Sequence, residues 1–356
     1  MKNIFCIFNL ANISPANVQS LCKEVGSLSD IEALTPSDIR GLSSFSKEKK
    51  DALIKAFDKY EELMSVLEKH RISYITILDS RYPKNLRYLA DPPYILFFQG
   101  DLDLIDEFSI GIIGSRKPTS YGIFCADLFA KKLCEHGVVT LSGMANGIDG
   151  ISQKTTVNSN GKTIAVLGSS HSDIYPKTNL TLSRDIIENG GLILSEYSPF
   201  HPTLPHQFIA RNRIIAALCQ GLLVIEANFK SGTMTTVDFA LELGKTVFSV
   251  PGNITSVNSN GTNLLIKNGA KITTSIEDIL EEFPFFSRSE IERKDEGLSE
   301  QERAILSLLK SESPLYVELI AGKLKLQIQQ VSATLNILEM KGLVSEIGNR
   351  CYIATT

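Results

Sequence analysis

The tripeptide Gly114-Ser115-Arg116 has the residue types and spacing best suited to binding chemistry in this sequence. It follows an apolar run, 109–113, which predicts a parallel strand buried on both faces, and it precedes a segment of helical spacing, 121–136. A glycine turn between strand and helix directs backbone N–H groups outward, where they can bind an anion, and an arginine can donate hydrogen bonds to two phosphate oxygens. The alternative is that Gly114 only makes the turn and that Arg116 is solvated.

The composition limits the classes of protein to which this chain can belong. At 356 residues it is too long for one ordinary core, which predicts two or three domains, and 43% hydrophobic residues are typical of ordered, soluble domains. A net charge of -4 and an isoelectric point near 5.8 argue against a protein coated with positive charge. Any site for nucleic acid must therefore be confined.

The sequence also argues against a metal site, a bound cofactor and a membrane span. The six cysteines include no Cys-x-x-Cys pair and have no nearby histidine at metal-ligand spacing, so we expect reduced thiols in a cytoplasmic protein. Neither a Walker-type phosphate-binding loop nor a Gly-x-Gly-x-x-Gly fingerprint is present. No apolar run reaches transmembrane length, and the apolar start, 4–11, lacks a convincing cleavage site for a signal peptide.

The N-terminal region, 1–71, is predicted as a small helical domain of the SAM or helix-hairpin-helix kind. Helical spacing is found at 15–25, 36–42 and 47–70. The turn Gly41-Leu42-Ser43, followed by a lysine-rich helix start, could be half of a helix-hairpin-helix that contacts DNA phosphates. The alternative is a solvated face, because acidic residues offset the lysines.

The central region, 72–283, is predicted as an α/β domain with a doubly wound sheet. Two apolar runs, 74–78 and 94–99, look like strands added to a larger sheet, and six strands alternating with helices or loops follow. These strands are 109–114, 138–143, 163–168, 191–197, 222–227 and 246–252. Polar and glycine-containing sequences collect at their carboxyl ends, so the sequence predicts one extended site at the switch point of strand order.

The C-terminal region, 298–356, is predicted as a winged helix that follows a charged linker, 284–297. Three helices, 299–310, 316–324 and 327–341, precede a terminal strand pair. Basic and acidic residues balance, whereas a winged helix gripping duplex DNA should carry a basic face. The third helix begins with Gln327, Gln329 and Gln330, which could touch bases, and contact with a protein is the alternative.

Taken together, these motifs resemble those of the DprA/Smf family of bacterial DNA-processing proteins. The resemblance covers residues 74–283 closely and the two terminal modules more loosely. The matching elements, in order, are 114–116, 142–145, 147–149, 163–168, Tyr175-Pro176, 195–197, Phe208, 211–213, 226–227, 231–233, 251–252 and 261–263. The resemblance implies an extended Rossmann-like domain that binds single-stranded DNA, forms homodimers and helps to load the RecA recombinase during natural transformation.

One position departs from the family pattern. After Gly147-Ile148-Asp149 the family commonly has Ala-Ala-His-Arg, whereas this chain has Gln153 at the histidine position and Lys154 after it. A role for that imidazole therefore cannot be transferred to this chain.

Single-strand binding requires cations along the phosphates and flat side chains under the bases. The predicted cations are Arg116, Lys177, Arg211 and Arg213, and the predicted flat ring is Phe208, for which core packing is the alternative. Arg211 and Arg213 cannot face the same way on one helical turn, so one of them is a candidate for a structural pair with Glu226. The full set of predicted nucleic-acid-binding residues is Gly114, Ser115, Arg116, Ser142, Gly143, Lys177, Phe208, Arg211, Asn212, Arg213, Ser231, Gly232 and Thr233.

An enzyme is the competing class of function. Phosphoribohydrolases of nucleoside monophosphates share this sheet architecture and carry Pro-Gly-Gly-x-Gly-Thr-x-x-Glu, whose glutamate is catalytic. In the corresponding segment of this chain, 228–236, Thr236 stands at the glutamate position. Glu196 and Glu226 remain as possible substitutes, although a glutamate at a strand end more often fixes loops. The sequence therefore favours binding over catalysis, and we expect no catalytic residues.

Overall fold

The protein is described from a computed structural model, in which residues 2–284 and 298–354 are described. The chain divides into two compact units, Met1–Glu282 and Phe283–Thr356. Most of the predicted linker, 285–297, lies outside the described residues.

The first unit begins with six helices. Their bounds are α1 Ile4–Leu10, α2 Pro15–Val25, α3 Leu28–Glu32, α4 Pro36–Gly41, α5 Lys47–Asp58 and α6 Tyr60–Lys69. Side chains of Ser14, Thr35 and Ser46 accept the first free N–H groups of α2, α4 and α5, which explains where these helices begin.

Helix α1 is the apolar start of the sequence. It is buried because it is apolar on nearly all sides. Its Phe5 ring lies 5.9 Å from the ring of Tyr94, the residue that directly precedes strand Ile95–Gly100. The N-terminal helices thus share one hydrophobic core with the sheet.

A sheet of nine strands forms the centre of this unit. The strands are β1 Ser73–Thr76, β2 Ile95–Gly100, β3 Ser109–Ile113, β4 Val139–Ser142, β5 Thr163–Leu167, β6 Leu192–Ser195, β7 Gly221–Val224, β8 Thr246–Ser249 and β9 Lys271–Ile272. Their order is β1-β2-β6-β5-β4-β3-β7-β8-β9. Strands β3 to β9 are parallel to one another, β2 pairs antiparallel with β6, and β1 pairs antiparallel with β2.

Helices α7 to α13 connect and follow the parallel strands. Their bounds are α7 Ser120–Glu135, α8 Ile148–Asn158, α9 Leu180–Glu188, α10 Pro205–Leu218, α11 Gly232–Glu242, α12 Asn260–Lys267 and α13 Glu277–Leu280. From β3 the chain moves to β4 on one side, and from β7 it moves to β8 on the other. The order of strands therefore reverses between β3 and β7, where Ile113 pairs with Val224. The predicted α/β class with a doubly wound sheet is confirmed.

The second unit is the predicted winged helix. It contains α14 Glu300–Glu312, β10 Leu315–Tyr316, α15 Val317–Leu324, α16 Ile328–Met340, β11 Val344–Gly348 and β12 Cys351–Ala354, with strand order β10-β12-β11. Lys341 pairs with Glu302, and Lys323 pairs with Glu312. The exposed residues of α16 are uncharged, among them Gln329, Asn336 and Met340, except for Glu339.

Two kinds of feature are absent from the described residues. No helix in these ranges is long and apolar enough to cross a membrane. Within the same ranges, no three His, Cys, Asp or Glu side chains form a group that could hold a metal ion, and all six cysteines are free thiols.

Candidate nucleic-acid interface

A cavity of about 720 Å³ opens at the carboxyl ends of β3 and β7, where the strand order reverses. We call it the switch-point cavity. Nine of the predicted site residues line it: Gly114, Ser115, Arg116, Phe208, Arg211, Asn212, Ser231, Gly232 and Thr233. The structure thus brings together residues that the sequence spreads over about a third of the chain.

The Ser115–Arg116 backbone is held against the start of α8. Gly147 adopts a φ of +82°, and a Cβ atom there would lie 2.2 Å from the Ser115 carbonyl oxygen, so only glycine is accommodated. The backbone N–H of Ile148 donates to that same oxygen at 3.1 Å. The position of the Ser115–Arg116 turn is therefore determined by backbone contacts.

Glu226, just after β7, fixes the loop that leads from this turn into α7. Its carboxylate accepts from the Thr119 backbone N–H at 2.9 Å and from the Thr119 hydroxyl at 2.6 Å. It packs so closely on Gly122 that a Cβ atom there would lie 2.4 Å from Oε2. Neither Arg211 nor Arg213 pairs with Glu226, so that prediction is wrong, because loop hydrogen bonds already occupy this carboxylate.

The Arg116 side chain is exposed at the cavity. Within the described ranges it has no hydrogen bond and no ion pair, so its guanidinium donors are available. Burial raises the pKa of Asp149 and lowers that of Arg211, and the positive charge of Arg116 opposes the first shift and adds to the second, so this charge acts within the site.

The N-terminus of α11 forms the opposite lining of the switch-point cavity. Ser231 precedes the helix, but its hydroxyl does not cap it, and its buried Oγ has no hydrogen-bond partner in the described part of the chain. The Thr233 hydroxyl donates to the Gly114 carbonyl at 3.2 Å, which ties this helix start to β3. The first N–H groups of a helix lack intrahelical acceptors, so they suit an anion here.

Arg211 lies at the floor of the cavity and is buried. Nη1 donates to the Gly143 carbonyl at 2.7 Å and to the Val166 carbonyl, and Nε donates to Asn212 Oδ1 at 3.2 Å. Burial lowers the pKa of Arg211 to about 10, so it stays charged at neutral pH, and burial raises the pKa of Asp149. Arg211 therefore joins strand ends β4 and β5 as well as contributing charge.

Two predicted residues at the end of β4 lie behind this arginine. A Cβ atom on Gly143 would lie 2.6 Å from Arg211 Cζ, so this glycine provides the space that the guanidinium occupies. Ser142 is fully buried, and its hydroxyl donates to the Ile112 carbonyl at 2.6 Å. Neither residue lines the cavity, because both lie in the protein interior beneath it.

Arg213 is buried on the other side of α10. Its guanidinium forms a two-point pair with Glu196 at 2.8 and 3.0 Å, and Nε donates to Asp91 at 3.0 Å. Burial opposes the charged form, but the attraction of Glu196 outweighs it and raises the pKa of Arg213. Arg213 is thus the arginine that forms the structural ion pair, and its partner is Glu196 instead of Glu226.

Lys177 is exposed but is not among the residues that line the switch-point cavity. Its Nζ forms an ion pair with Asp173 at 2.7 Å, and Asp173 also accepts from the Thr203 hydroxyl at 2.7 Å. This pair lies on the surface, where such pairs are weak, so Lys177 can exchange Asp173 for another anion at small cost.

Phe208 is half-buried, packs in the protein interior and also faces the cavity. One side of the ring packs over Gly168, where a Cβ atom would come within 2.6 Å of Cδ1, and the residue also lines the cavity. Its ring centroid lies 5.4 Å from that of the exposed Tyr175 at an angle of 58°. Tyr175 was missed as a site residue, although it belongs to a motif that follows a predicted strand end.

Other sequence features lie outside this cavity. Gln153, at the family's histidine position, is buried and donates to the Ile164 carbonyl at 3.1 Å. At the end of the Gly41-Leu42-Ser43 turn, Ser43 and the following Ser44 donate both backbone and hydroxyl groups to the Glu24 carboxylate. These four donors are therefore occupied by a carboxylate of the protein itself.

Comparison with known proteins agrees with this architecture. The family model of DNA recombination-mediator protein A matches residues 73–284, and the model of the DprA winged helix domain matches 290–348. DNA processing protein DprA of Streptococcus pneumoniae is 42% identical over 210 residues, which cover 59% of this chain and 74% of that protein. Its counterpart in Bacillus subtilis is 37% identical over 236 residues, which cover 66% of this chain and 79% of that protein.

Solved structures give the same relationship. The X-ray structure of DprA from S. pneumoniae matches with a TM-score of 0.68 and 33% identity, over 80% of this chain and 99% of that one. DNA processing protein A from Helicobacter pylori, solved to show its single-stranded DNA binding mode, matches with a TM-score of 0.54 and 33% identity, over 59% and 95% of the two chains. The resemblance read from the sequence is therefore confirmed, and this chain belongs to the DprA family of DNA-processing proteins.

Proposed function

We propose that this protein binds single-stranded DNA in the switch-point cavity. The observation that carries the proposal is the Arg116 guanidinium, which has no partner among the described residues and shares one cavity with the N-terminus of α11. Two anion-binding features at one opening suit the phosphates of a strand. The half-buried Phe208 and the exposed Tyr175 supply flat faces for unstacked bases in the same cavity.

The confined charge supports a single strand over a duplex. A net charge of -4 argues against an extended basic surface, and two of the six basic residues in the described part of the winged helix, Lys341 and Lys323, are paired with carboxylates. Duplex binding relies on counterion release along many phosphates, and this release requires an extended basic surface. We therefore place the main DNA site on the sheet and propose that the exposed residues of α16, of which Glu339 alone is charged, contact a protein.

We further propose that the bound strand is passed to RecA in natural transformation, that the protein acts in the cytoplasm and that it is a homodimer. The RecA step is supported by the description of the matching family as recombination mediators. The homodimer is supported by exposed apolar side chains at the β8–β9 end of the sheet, where β9 pairs only with β8 among the described strands. These side chains are Leu241, Ile254, Val257, Leu264 and Ile272.

Catalysis remains the less favoured alternative. Thr236 lines the cavity where a phosphoribohydrolase has its glutamate, and a hydroxyl does not replace a carboxylate in acid–base chemistry. Of the two possible substitutes, Glu226 is bonded to Thr119 and Glu196 is paired with Arg213. We therefore propose that the protein is a binding protein and not an enzyme.

The substitution Arg116→Ala tests the proposed DNA site. We expect weaker binding of single-stranded oligomers of any sequence, and a plot of log affinity against log salt whose slope is smaller by about 0.7, because one phosphate contact is lost. Affinity should be measured by fluorescence anisotropy at several salt concentrations. The matched control is Arg184→Ala, an exposed arginine on α9 that does not line the cavity. Equal affinity and slope in folded Arg116→Ala protein would contradict the proposal.

Phe208→Ala distinguishes stacking from packing. If a base stacks on this ring, affinity should fall by about 1–3 kcal/mol without a change in the salt slope, because stacking releases no counterions. Phe208→Tyr should bind nearly as well as the wild type. If the ring only packs on Gly168, the melting temperature falls while the affinity, measured well below that temperature, is unchanged. Both quantities are to be measured on the same preparations.

A further inference from the structure

A second cavity, of about 380 Å³, lies next to the switch-point cavity. Its lining comes from the α1–α2 connection, from Asp91, from the end of β6 with Glu196 and Tyr197, and from the loop before α10. Leu204 in that loop lines both cavities, so the two are separated by little more than one side chain. A flexible chain held in the first cavity can therefore reach the second by passing over Leu204.

The second cavity offers a hydrogen-bond acceptor. Arg213 uses its donors on Glu196, on the Ala210 carbonyl and on Asp91 Oδ1, whereas Asp91 Oδ2 has no partner within the described ranges. The Asp91 side chain lines this cavity and is 49% exposed. With two carboxylates and one guanidinium, the cavity repels a phosphate and attracts a group that donates hydrogen bonds.

Flat rings form another part of the lining. The Tyr197 ring and the His201 imidazole lie 4.9 Å apart at an angle of 35°. Burial lowers the pKa of His201, so the imidazole is neutral at pH 7, and its buried Nδ1 has no hydrogen-bond partner among the described residues. Neutral rings beside a free carboxylate oxygen match a planar ligand whose edge carries an amino group.

We propose that this second cavity is a base subsite for the same single strand. In this proposal, which rests on the proposed function, the strand passes over Leu204 and places a base against Tyr197 and His201. The exocyclic amino group of that base donates to Asp91 Oδ2. Cytosine, adenine and guanine carry such a group, whereas thymine presents a carbonyl oxygen where cytosine has its amino group. The subsite therefore gives the protein a preference among bases.

The test compares cytidine and thymidine oligodeoxynucleotides of eight nucleotides, at one salt concentration, by fluorescence anisotropy. The wild type should bind the cytidine oligomer about tenfold more tightly, since a hydrogen bond to a charged group discriminates by roughly that factor. In Asp91→Asn the amide oxygen can still accept from Arg213. The amide NH2 group then takes the position of Oδ2 and donates a hydrogen bond where the carboxylate oxygen accepted one. The preference should then reverse in favour of thymidine.

The control is Asp106→Asn, which removes the same charge from an exposed aspartate that lines neither cavity, and it should keep the wild-type preference. His201→Ala should weaken binding of both oligomers about fivefold or more, because a stacking surface is lost. If the wild type binds both oligomers equally, or if folded Asp91→Asn keeps the wild-type preference, the subsite is refuted while the proposed function stands. Absence of single-strand binding overturns both.

Discussion

Arg213→Met should lower the free energy of unfolding of the first unit by about 3–5 kcal/mol, the cost of leaving a buried charge without its partner. Glu196 has a side chain only 10% exposed, and Arg213 is its only ion-pair partner in the described part of the chain. Methionine occupies a similar volume but donates no hydrogen bond. Urea denaturation followed by circular dichroism measures the loss, and a change below about 1 kcal/mol would contradict the structural role of this arginine.

The double variant Arg213→Met with Glu196→Leu separates charge from packing. Replacing both members of a buried ion pair with apolar residues is often neutral, so most of the lost stability should return. Asp91 is half exposed and can be hydrated once Arg213 is removed, so it adds little to the cost. A double variant that is less stable than Arg213→Met alone would show that packing, and not an unpaired charge, explains the loss.

Acidification should destabilise the first unit through His171. This side chain is buried, its Nε2 bonds to the Ile193 carbonyl at 3.2 Å, and burial lowers its pKa from 6.5 to about 4. In the unfolded chain the group binds a proton below about pH 6.5, so its contribution to stability is fully present above that pH. The contribution is lost as the pH falls towards 4, and it amounts to about 3 kcal/mol.

His171→Gln provides the control, because its amide can donate to the same carbonyl but does not titrate. The absolute stability of this variant is unimportant here. The measured quantity is the change in unfolding free energy between pH 7 and pH 4, which should be smaller than in the wild type by about 3 kcal/mol. Equal pH dependence in the two proteins would show that His171 is accessible to protons in the folded state.

Much of the fold could be predicted from the sequence because its signals are local. Apolar runs with glycine or polar ends predicted the parallel strands, and the alternation with helices predicted the doubly wound sheet. The winged helix followed from three periodic segments and a terminal strand pair. The switch-point cavity was also predictable, since polar residues such as Ser115 and Ser231 recur after strand ends that the topology brings together.

The remaining features depend on contacts between distant residues. Arg213 meets Asp91 across 122 positions of sequence, and no local pattern indicates that partner. For the same reason the sequence predicted Arg211 as a phosphate-binding cation but did not indicate its burial against the ends of β4 and β5. Helix α1 was not predicted because a short segment with six apolar residues out of seven looks alike in a leader, a strand and a buried helix.

The contacts that hold the Ser115–Arg116 turn affect the rate of binding and the affinity at the proposed site. Gly147 and Glu226 fix the backbone on both sides of Arg116, so no loop has to become ordered when an anion arrives. Only the arginine side chain loses rotational freedom, at a cost of about 0.5–1.5 kcal/mol. Such preorganisation leaves more of the contact energy for affinity, and it favours encounters whose rate is set by diffusion rather than by rearrangement of the protein.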